Sequence, residues 1–456
     1  MRVVFVNPVP PEGRKVYTGF SHGIGYLSAV AKRAGHETRL VTATRRDPGV
    51  IEDIAEFRPD VVALTATSAQ WGLAAWVAGE ISGRFPEIPI VAGGVHVTVA
   101  PEEAISTPGI WAICRGEGEE VFPEMLSALE CGGWEETAGF WTRPQAVAGV
   151  GPTPVGGAGG SAQAVVGEVV RNRMAPLVDL TALPHPDRGI YDYQSILDRN
   201  RNNVGAEFMA SRGCPFSCSY CVNPVMSELT SGGWSRVRYR PVEDVISETE
   251  DVLGRYNGVK MAGFHDDIFG LDKNWLAQFA AEYPRRIGLP FWCNERAGTF
   301  GQEDARTLKE AGCFRVHMGI ESADDTLRRA VLGRDIRSEA IEDAFAMVKR
   351  AGMRTVAFNM IGVPCETEDT IKATIELNRR IRPDWLVVSV FSPFPGTRLG
   401  KLVREKGWGG TGALPESYYD EGWGLDQPSL ARERLLYYYR NFVDLVYDKG
   451  PKRNAI

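Results

Sequence analysis

Residues 211 to 221 read Ser-Arg-Gly-Cys-Pro-Phe-Ser-Cys-Ser-Tyr-Cys and directly follow a mostly apolar run at 206–210. The segment places Cys214, Cys218 and Cys221 in the spacing C-x₃-C-x₂-C. Three thiolates on one tight loop can hold three corners of a cubane iron–sulfur cluster. The fourth iron is then open to a ligand that is not protein, so the spacing predicts a reactive cluster.

Two other uses of clustered cysteines fit this segment less well. A structural zinc site closes four ligands, usually from two separated pairs, and neither a second C-x₂-C nor a nearby His completes such a set. A disulfide framework does not suit an odd local trio in a chain without other marks of secretion. The iron–sulfur interpretation is therefore favoured.

The whole chain has the composition of a globular protein. Its 456 residues are 44% hydrophobic and 24% charged, and the length predicts about two to four domains. The formal charge of -7 argues against nucleic acid as a partner and suits a neutral or cationic small substrate. Neither a signal-peptide pattern nor a transmembrane-length apolar run is present, so we expect a cytoplasmic protein without a membrane partner.

Strands and helices alternate over residues 1 to about 130. The predicted strands are residues 3–6, 38–42, 60–65, 88–92 and 110–114. This pattern predicts an open, doubly wound parallel sheet, whose ligands lie beyond the C-terminal strand ends. Gly93 and Gly94 stand at one such end, where paired glycines permit close approach of a large ligand. A tight turn before a capped helix explains the same pair.

A second alternation begins near residue 208. It predicts strands at 208–211, 259–264, 291–295, 314–320, 355–361 and 385–391. Polar residues follow several of these strands, among them Asp266, Asp267 and Glu321. Because barrel enzymes carry their function on the loops at the C-terminal strand ends, these residues are site candidates. The remainder, from residue 409, is aromatic-rich and predicts one helix at 432–447.

The cysteine spacing is the signature of the radical S-adenosylmethionine (SAM) enzymes, and the chain resembles that superfamily. The six βα units fit its partial (β/α)₆ barrel, and residues 93–103 and 115–120 together resemble the N-terminal cobalamin-binding domain of one subfamily. The implied α/β fold is a doubly wound, cobalamin-binding-like domain (1–131), a linker (132–200), the barrel (201–405) and a short helical region (406–456).

The resemblance assigns roles to the polar strand ends. Cys214, Cys218 and Cys221 hold a [4Fe–4S] cluster, whose open iron is chelated by the amino and carboxylate groups of SAM. The other assigned SAM contacts are Tyr220 near adenine, Asp266 and Asp267 at the ammonium group, Glu321 at the ribose, and Asn359 beside adenine. Loop packing for Tyr220, helix capping for one aspartate and a surface position for Glu321 are the alternatives.

Cobalamin is the third cofactor that the resemblance implies, with its nucleotide tail along Gly93 and Gly94. Cobalamin mutases and methionine synthase ligate cobalt with the His of D-x-H-x-x-G, and here that place reads Phe20-Ser21-His22-Gly23-Ile24-Gly25. Phe20 replaces the carboxylate that orients the imidazole. This favours a polar residue at the domain mouth over cobalt ligation for His22. A domain that keeps the fold without cobalamin is the alternative.

The implied activity is reductive cleavage of SAM to a 5′-deoxyadenosyl radical that abstracts hydrogen from a small secondary metabolite. The electron comes from an external donor such as flavodoxin or ferredoxin. A cobalamin domain favours C-methylation; radical dehydration of an aminoglycoside-type diol in antibiotic biosynthesis is the alternative. A cobalamin sensor with a vestigial barrel is disfavoured because all three cysteines are present. Cys293, Cys313 and Cys365 are interpreted as small apolar residues rather than thiyl centres.

Overall fold

A computed structural model of the chain describes residues 1–9, 19–131, 133–143, 168–200, 205–409 and 425–447. Contacts within the chain separate it into two compact units, Met1–Tyr193 and Gln194–Ile456. The middle of the predicted linker, residues 144–167, lies outside the described residues. The four-part division of the sequence therefore stays a prediction.

The first unit is built on one sheet. Within the described residues its strands are β1 (Arg2–Pro8), β2 (Glu37–Ala43), β3 (Val61–Thr65), β4 (Ile90–Gly93), β5 (Ala112–Cys114), β6 (Phe140–Thr142) and β7 (Val170–Arg171). They lie in the order β2-β1-β3-β4-β5-β6-β7. The parallel pairing of β1 to β5 confirms the predicted sheet, and β6 and β7 add an antiparallel edge.

Helices cover both faces of this sheet because successive residues of its central strands are apolar. The helices are α1 (His22–Arg33), α2 (Gly49–Phe57), α3 (Trp71–Arg84), α4 (Val95–Val99), α5 (Pro101–Ser106) and α6 (Val121–Cys131). Val4 and Val6 share a core with α2 to α5. Val3 and Phe5, which point the other way, share a core with α1 and α6.

The second unit contains a six-stranded sheet and a short antiparallel pair. Its strands are β8 (Ala206–Phe208), β9 (Ser211–Arg212), β10 (Arg238–Tyr239), β11 (Ala262–Phe264), β12 (Phe291–Glu295), β13 (Cys313–Glu321), β14 (Arg354–Ile361) and β15 (Trp385–Val390). The larger sheet has the order β15-β14-β13-β12-β11-β8, and every neighbouring pair in it is parallel. The predicted partial (β/α)₆ arrangement is confirmed.

The helices that accompany these strands are α7 (Tyr193–Asn200), α8 (Asn223–Leu229), α9 (Val242–Arg255), α10 (Lys273–Arg286), α11 (Gln302–Glu310), α12 (Ser338–Arg350), α13 (Glu368–Ile381), α14 (Arg398–Glu405) and α15 (Arg432–Tyr447). α10 contains Pro284 in its interior. α15 has the predicted bounds and packs by Leu435, Tyr438 and Phe442 into the core that includes Ile371 of α13. No helix among the described residues combines the length and apolarity needed to cross a membrane.

Residues of the sheet in the second unit alternate between its helix-covered face and its inner face. Phe264 packs against Phe279 and Tyr283 of α10, with ring centroids 5.4 and 6.2 Å away. Its neighbour Gly263 therefore faces inward. A Cβ atom there would lie 2.3 Å from Cζ2 of Trp292. The Trp292 indole thus lies across the inner face, and it stacks on His317 at 4.7 Å.

The aromatic cluster under the sheet predicts a large stability effect. Phe279 is fully buried, so Phe279→Ala removes a large ring from a packed core and should lower the free energy of unfolding by about 3–5 kcal/mol. Tyr437→Ala is the control because Tyr437 is 45% exposed, and its cost should stay below about 1 kcal/mol. Urea unfolding followed by circular dichroism measures both. Equal costs would contradict this account of the core.

Candidate cofactor sites at the strand ends

The three clustered cysteines lie on the segment 213–222, which we call the cysteine loop, between β9 and α8. Gly213 begins it with a φ of +108°, and a Cβ atom there would lie 2.5 Å from the Trp234 carbonyl oxygen. Only glycine tolerates both conditions. The Ser219 N–H donates to the Leu332 carbonyl oxygen at 2.9 Å, which ties the middle of the loop to the segment after β13.

The thiols of this loop suit a cluster. All eight cysteines of the chain are free, and burial raises the pKa of Cys214 to about 11 and that of Cys221 to about 12. Such thiols ionise when a metal centre supplies positive charge. No three His, Cys, Asp or Glu side chains in the described parts of the chain converge on a single ion. A cluster that takes each cysteine at a separate corner fits this donor set.

Two arginines that the sequence analysis missed stand beside the loop. The Arg296 Nη1 donates to the Cys218 Sγ at 3.5 Å, and its guanidinium lies 3.9 Å from the Phe216 ring centroid. Arg334 Nη2 donates to the Gly319 carbonyl oxygen at 2.7 Å. Arg296 directly follows β12, so the strand-end rule that selected Asp266 and Glu321 could also have selected it.

The two aspartates after β11 have different surroundings. Asp266 is 1% exposed; its Oδ1 accepts from the Ser211 hydroxyl at 2.5 Å and its Oδ2 from the Ala210 N–H at 3.2 Å. This carboxylate therefore bonds to the chain itself. Asp267 is exposed, and its charge raises the pKa of both Cys214 and Cys221. The ammonium contact stays a prediction for both aspartates.

Glu321 is brought to Tyr220 by an irregular strand end. The register of β13 and β14 shifts between Gly319 and Glu321, and Glu321 adopts a left-handed φ of +64°. The Tyr220 hydroxyl donates to Glu321 Oε1 at 3.3 Å, and Arg334 Nη1 lies 3.9 Å from the same oxygen. Burial raises the pKa of Glu321, while the charge of Arg334 opposes the rise.

Tyr220 and Glu321 line a cavity of about 320 Å³ at the ends of β14 and β15. Its other walls are mostly apolar: Phe358, Asn359, Met360, Val387, Ser389, Val390, Phe391, Ser392 and Phe394. An enclosed carboxylate beside apolar walls suits a nucleoside, whose ribose hydroxyls donate and whose base packs. The predicted ribose contact of Glu321 and adenine contact of Tyr220 are consistent with this cavity and stay predictions.

Asn359 borders the cavity by its position, but its side-chain amide bonds to the protein. Its Oδ1 accepts from Asn378 Nδ2 of α13 at 2.7 Å, and its own Nδ2 donates to the Val387 carbonyl oxygen at 3.3 Å. The predicted position of Asn359 beside adenine stays a prediction. The residue borders the cavity while its amide holds α13 against β14.

Gly93 and Gly94 occupy the predicted edge of the sheet in the first unit. Gly94 has a φ of +95°, and a Cβ atom there would lie 2.9 Å from the Ala66 carbonyl oxygen, so the turn itself requires glycine. A Cβ atom on Gly93 would have ordinary contacts with Cys114, and Gly93 is partly exposed. The next residue, Val95, is 43% exposed.

A buried histidine follows this turn. His96 is 1% exposed, stacks on Trp71 at 4.5 Å, and has Nδ1 3.2 Å from the Ser68 hydroxyl. Its Nε2 has no hydrogen-bond partner among the described residues; the nearest carboxylate, Glu103, is 3.9 Å away. A ring nitrogen without a partner, near a partly exposed glycine turn and an exposed apolar side chain, fits a large ligand with amide side chains, such as a corrinoid.

His22 begins α1 and is buried. Ser21 caps this helix, since its hydroxyl accepts from the Ile24 N–H at 3.4 Å. The imidazole meets the Phe20 ring edge-to-face at 5.0 Å, and a phenyl ring cannot accept the N–H bond by which a carboxylate orients a cobalt ligand. The expectation that His22 is a polar residue at the domain mouth is in keeping with this packing and stays a prediction.

With these sites in place, comparison with known proteins identifies the family. A model described as the Radical SAM superfamily matches residues 209–377, and one described as a B12 binding domain matches residues 16–126. The chain is 30% identical to an uncharacterized methyltransferase of Pyrococcus horikoshii over 411 residues, which cover 88% of this chain and 82% of that protein. The chain belongs to the radical SAM superfamily.

Two further proteins are similar to this chain over most of its length. An anaerobic magnesium-protoporphyrin IX monomethyl ester cyclase of Cereibacter sphaeroides is 26% identical over 419 residues, 89% of this chain and 64% of that enzyme. The solved structure of the radical SAM methyltransferase TsrM of Kitasatospora setae, with cobalamin and a [4Fe–4S] cluster bound, aligns with a TM-score of 0.67 at 20% identity, over 90% of this chain and 78% of TsrM. The latter shares the fold.

Membership in this superfamily makes the protein an enzyme and confirms three cofactor predictions. A [4Fe–4S] cluster and SAM belong to the radical SAM domain, and cobalamin to the B12 binding domain. The sensor alternative is therefore wrong. The predicted small-molecule substrate of the enzyme is likewise supported by the family.

The loop after β14 contains another group that the sequence analysis did not select. Glu366 is fully buried, and its Oε2 accepts from the Gly362 N–H. Burial raises the pKa of Glu366 to about 8, so the folded protein holds this side chain neutral at pH 7.

This carboxyl group predicts a pH-dependent stability. The unfolded chain loses the Glu366 proton near pH 4.5 while the folded chain keeps it up to about pH 8, so its contribution is complete below pH 4.5 and is lost as the pH rises through 8. Glu366→Gln should weaken the fall in unfolding free energy between pH 5.5 and 8. Urea titrations at both pH values measure this. Exposed Glu433→Gln is the control, and an unchanged slope in Glu366→Gln would contradict the assignment.

Proposed function

We propose that this enzyme methylates a carbon of a small molecule, with cobalamin as the methyl carrier and a 5′-deoxyadenosyl radical as the hydrogen abstractor. The observation that carries the proposal is that one chain has both parts. One part is a three-cysteine loop whose Tyr220 bonds to Glu321, and the other is a B12 binding domain with a partly exposed strand end at Gly93. Similarity over 88% of the chain to a protein named a methyltransferase supports it.

The proposed roles follow from the contacts. Cys214, Cys218 and Cys221 hold the cluster, and Asp267 contacts the SAM ammonium beside it. The Glu321 carboxylate can accept from both ribose hydroxyls, with Tyr220 and Arg334 fixing its position. When bound, the cluster supplies the electron that cleaves SAM and the corrinoid supplies the methyl group.

The cavity walls would also position the reactants and limit the access of water to them. The apolar walls of the 320 Å³ cavity, among them Phe358 and Phe391, exclude solvent from a radical that would otherwise react with the wrong partner. The five cysteines outside the cysteine loop form no second C-x₃-C-x₂-C group. We therefore propose that the electron comes from an external one-electron donor such as flavodoxin or ferredoxin.

Loss of one cysteine tests the radical mechanism. Cys218→Ala removes a corner ligand, so the reconstituted iron content should fall and 5′-deoxyadenosine formation from SAM and dithionite should drop to background. Anaerobic iron and sulfide analysis and chromatography of the nucleoside measure both. Exposed Cys131→Ala on α6 is the control. Formation of 5′-deoxyadenosine by Cys218→Ala at the wild-type rate would contradict the proposal.

Corrinoid retention separates methylation from dehydration. Wild-type protein incubated anaerobically with hydroxocobalamin and desalted should keep a corrinoid absorbance spectrum. His96→Phe should keep less, because Phe can stack on Trp71 but has no ring nitrogen for the ligand. Thermal unfolding of the corrinoid-free proteins controls for folding. A corrinoid-free enzyme that converts its substrate with loss of water, by product mass, would favour the dehydratase alternative.

A further inference from the structure

One side chain contacts a predicted cluster ligand without being a ligand itself. Arg296 lies just past β12 and is 7% exposed. Its Nη1 is 3.5 Å from the Cys218 sulfur, and its Cζ lies 3.9 Å from the ring centroid of Phe216, two residues before that cysteine. The arginine thus contacts both the Cys218 sulfur and the aromatic ring of Phe216 on the same loop.

The charges around the cysteine loop are arranged unequally. The positive charge of Arg334 acts on Arg296, so two buried cations lie on the Cys218 side of the loop. The negative charge of Asp267 acts on Cys214 and Cys221, and Cys214 also experiences the charge of Arg296. The three corner ligands therefore experience different fields, and Cys218 is the one with a direct cationic donor.

A donor of this kind has a defined effect on an iron–sulfur cluster. Reduction adds one negative charge, which spreads over the iron and the thiolate sulfurs. A hydrogen bond to sulfur and a nearby cation both stabilise that added charge, and hydrogen bonds to the sulfurs are among the factors that set cluster potentials. The effect is greater in a buried site, where the effective dielectric constant is below that of water.

We propose that Arg296 is a positioning residue that raises the reduction potential of the [4Fe–4S] cluster through Cys218 and orients that thiolate. This inference rests on the proposed role of Cys218 as a cluster ligand. Phe216 holds the guanidinium plane so that one N–H points at the sulfur. A lysine, whose charge is a point without a planar fork, reproduces the charge but not this orientation.

The test is an EPR-monitored redox titration of the reconstituted cluster in the full chain, without SAM. Arg296→Met removes the charge and the donor, Arg296→Gln keeps an N–H donor, and Arg296→Lys keeps the charge. We expect the midpoint potential to be most negative in Arg296→Met, with the other two variants between it and the wild type. Arg306→Gln on α11 is the matched control, because Arg306 is 68% exposed and its charge is screened by solvent.

Iron content and SAM affinity complete the experiment. A negative shift in Arg296→Met relative to Arg306→Gln, at wild-type iron content, supports the proposal. An unshifted potential in a fully loaded variant overturns it, and a weakened SAM affinity with an unshifted potential would make Arg296 a SAM ligand instead. If Arg296→Met does not load, Arg296→Gln and Arg296→Lys are judged by the same criteria. A wild-type protein that takes up no cluster would overturn the proposed function together with this inference.

Discussion

The cysteine loop depends on a buried carboxylate that joins two parallel strand ends. Asp266, two residues past β11, accepts hydrogen bonds from Ala210 and Ser211, which precede the loop. Burial raises the pKa of Asp266 to about 6, and the hydrogen bonds to it oppose that rise. Leaving a buried charge without its donors is costly. The ends of β8 and β11 and the start of the loop are therefore held as one piece, before any cofactor binds.

From this fixed start, the loop lies among groups at the ends of four other strands. Arg296 follows β12, Glu321 is the last residue of β13, Arg334 lies in the segment after β13, and the cavity walls come from β14 and β15. Because all six strands are parallel, their carboxyl ends meet at one edge of the sheet. Radical SAM membership explains why such an edge exists, whereas the contact between Arg296 and Cys218 is an observation about this chain.

Apolar periodicity is a local property of the sequence, and it predicted the bounds of individual strands and helices. β12 has the predicted bounds 291–295 and α15 the bounds 432–447, since apolar periodicity identifies buried strands and helices. The direction of one side chain at a strand end is not local. Asp266 and Asp267 are neighbours, but only the first meets Ser211.

The side-chain contacts that the sequence did not indicate share that cause. The Asn359 amide turns to Asn378 of α13. The contact between Arg296 and Cys218 joins residues 78 positions apart. The left-handed backbone of Glu321 depends on a register shift between two strands. Tertiary packing decides each of these, and no short pattern records it.

The Trp292 indole across Gly263 links a remote glycine to the cavity. Trp292 and His317 stack on the inner face of the sheet, and Phe358 meets His317 at 5.7 Å. Phe358 is also a wall of the 320 Å³ cavity. Any side chain at residue 263 would displace the indole. Such a substitution would therefore disturb the cavity through three aromatic rings, although residue 263 is not one of the cavity walls.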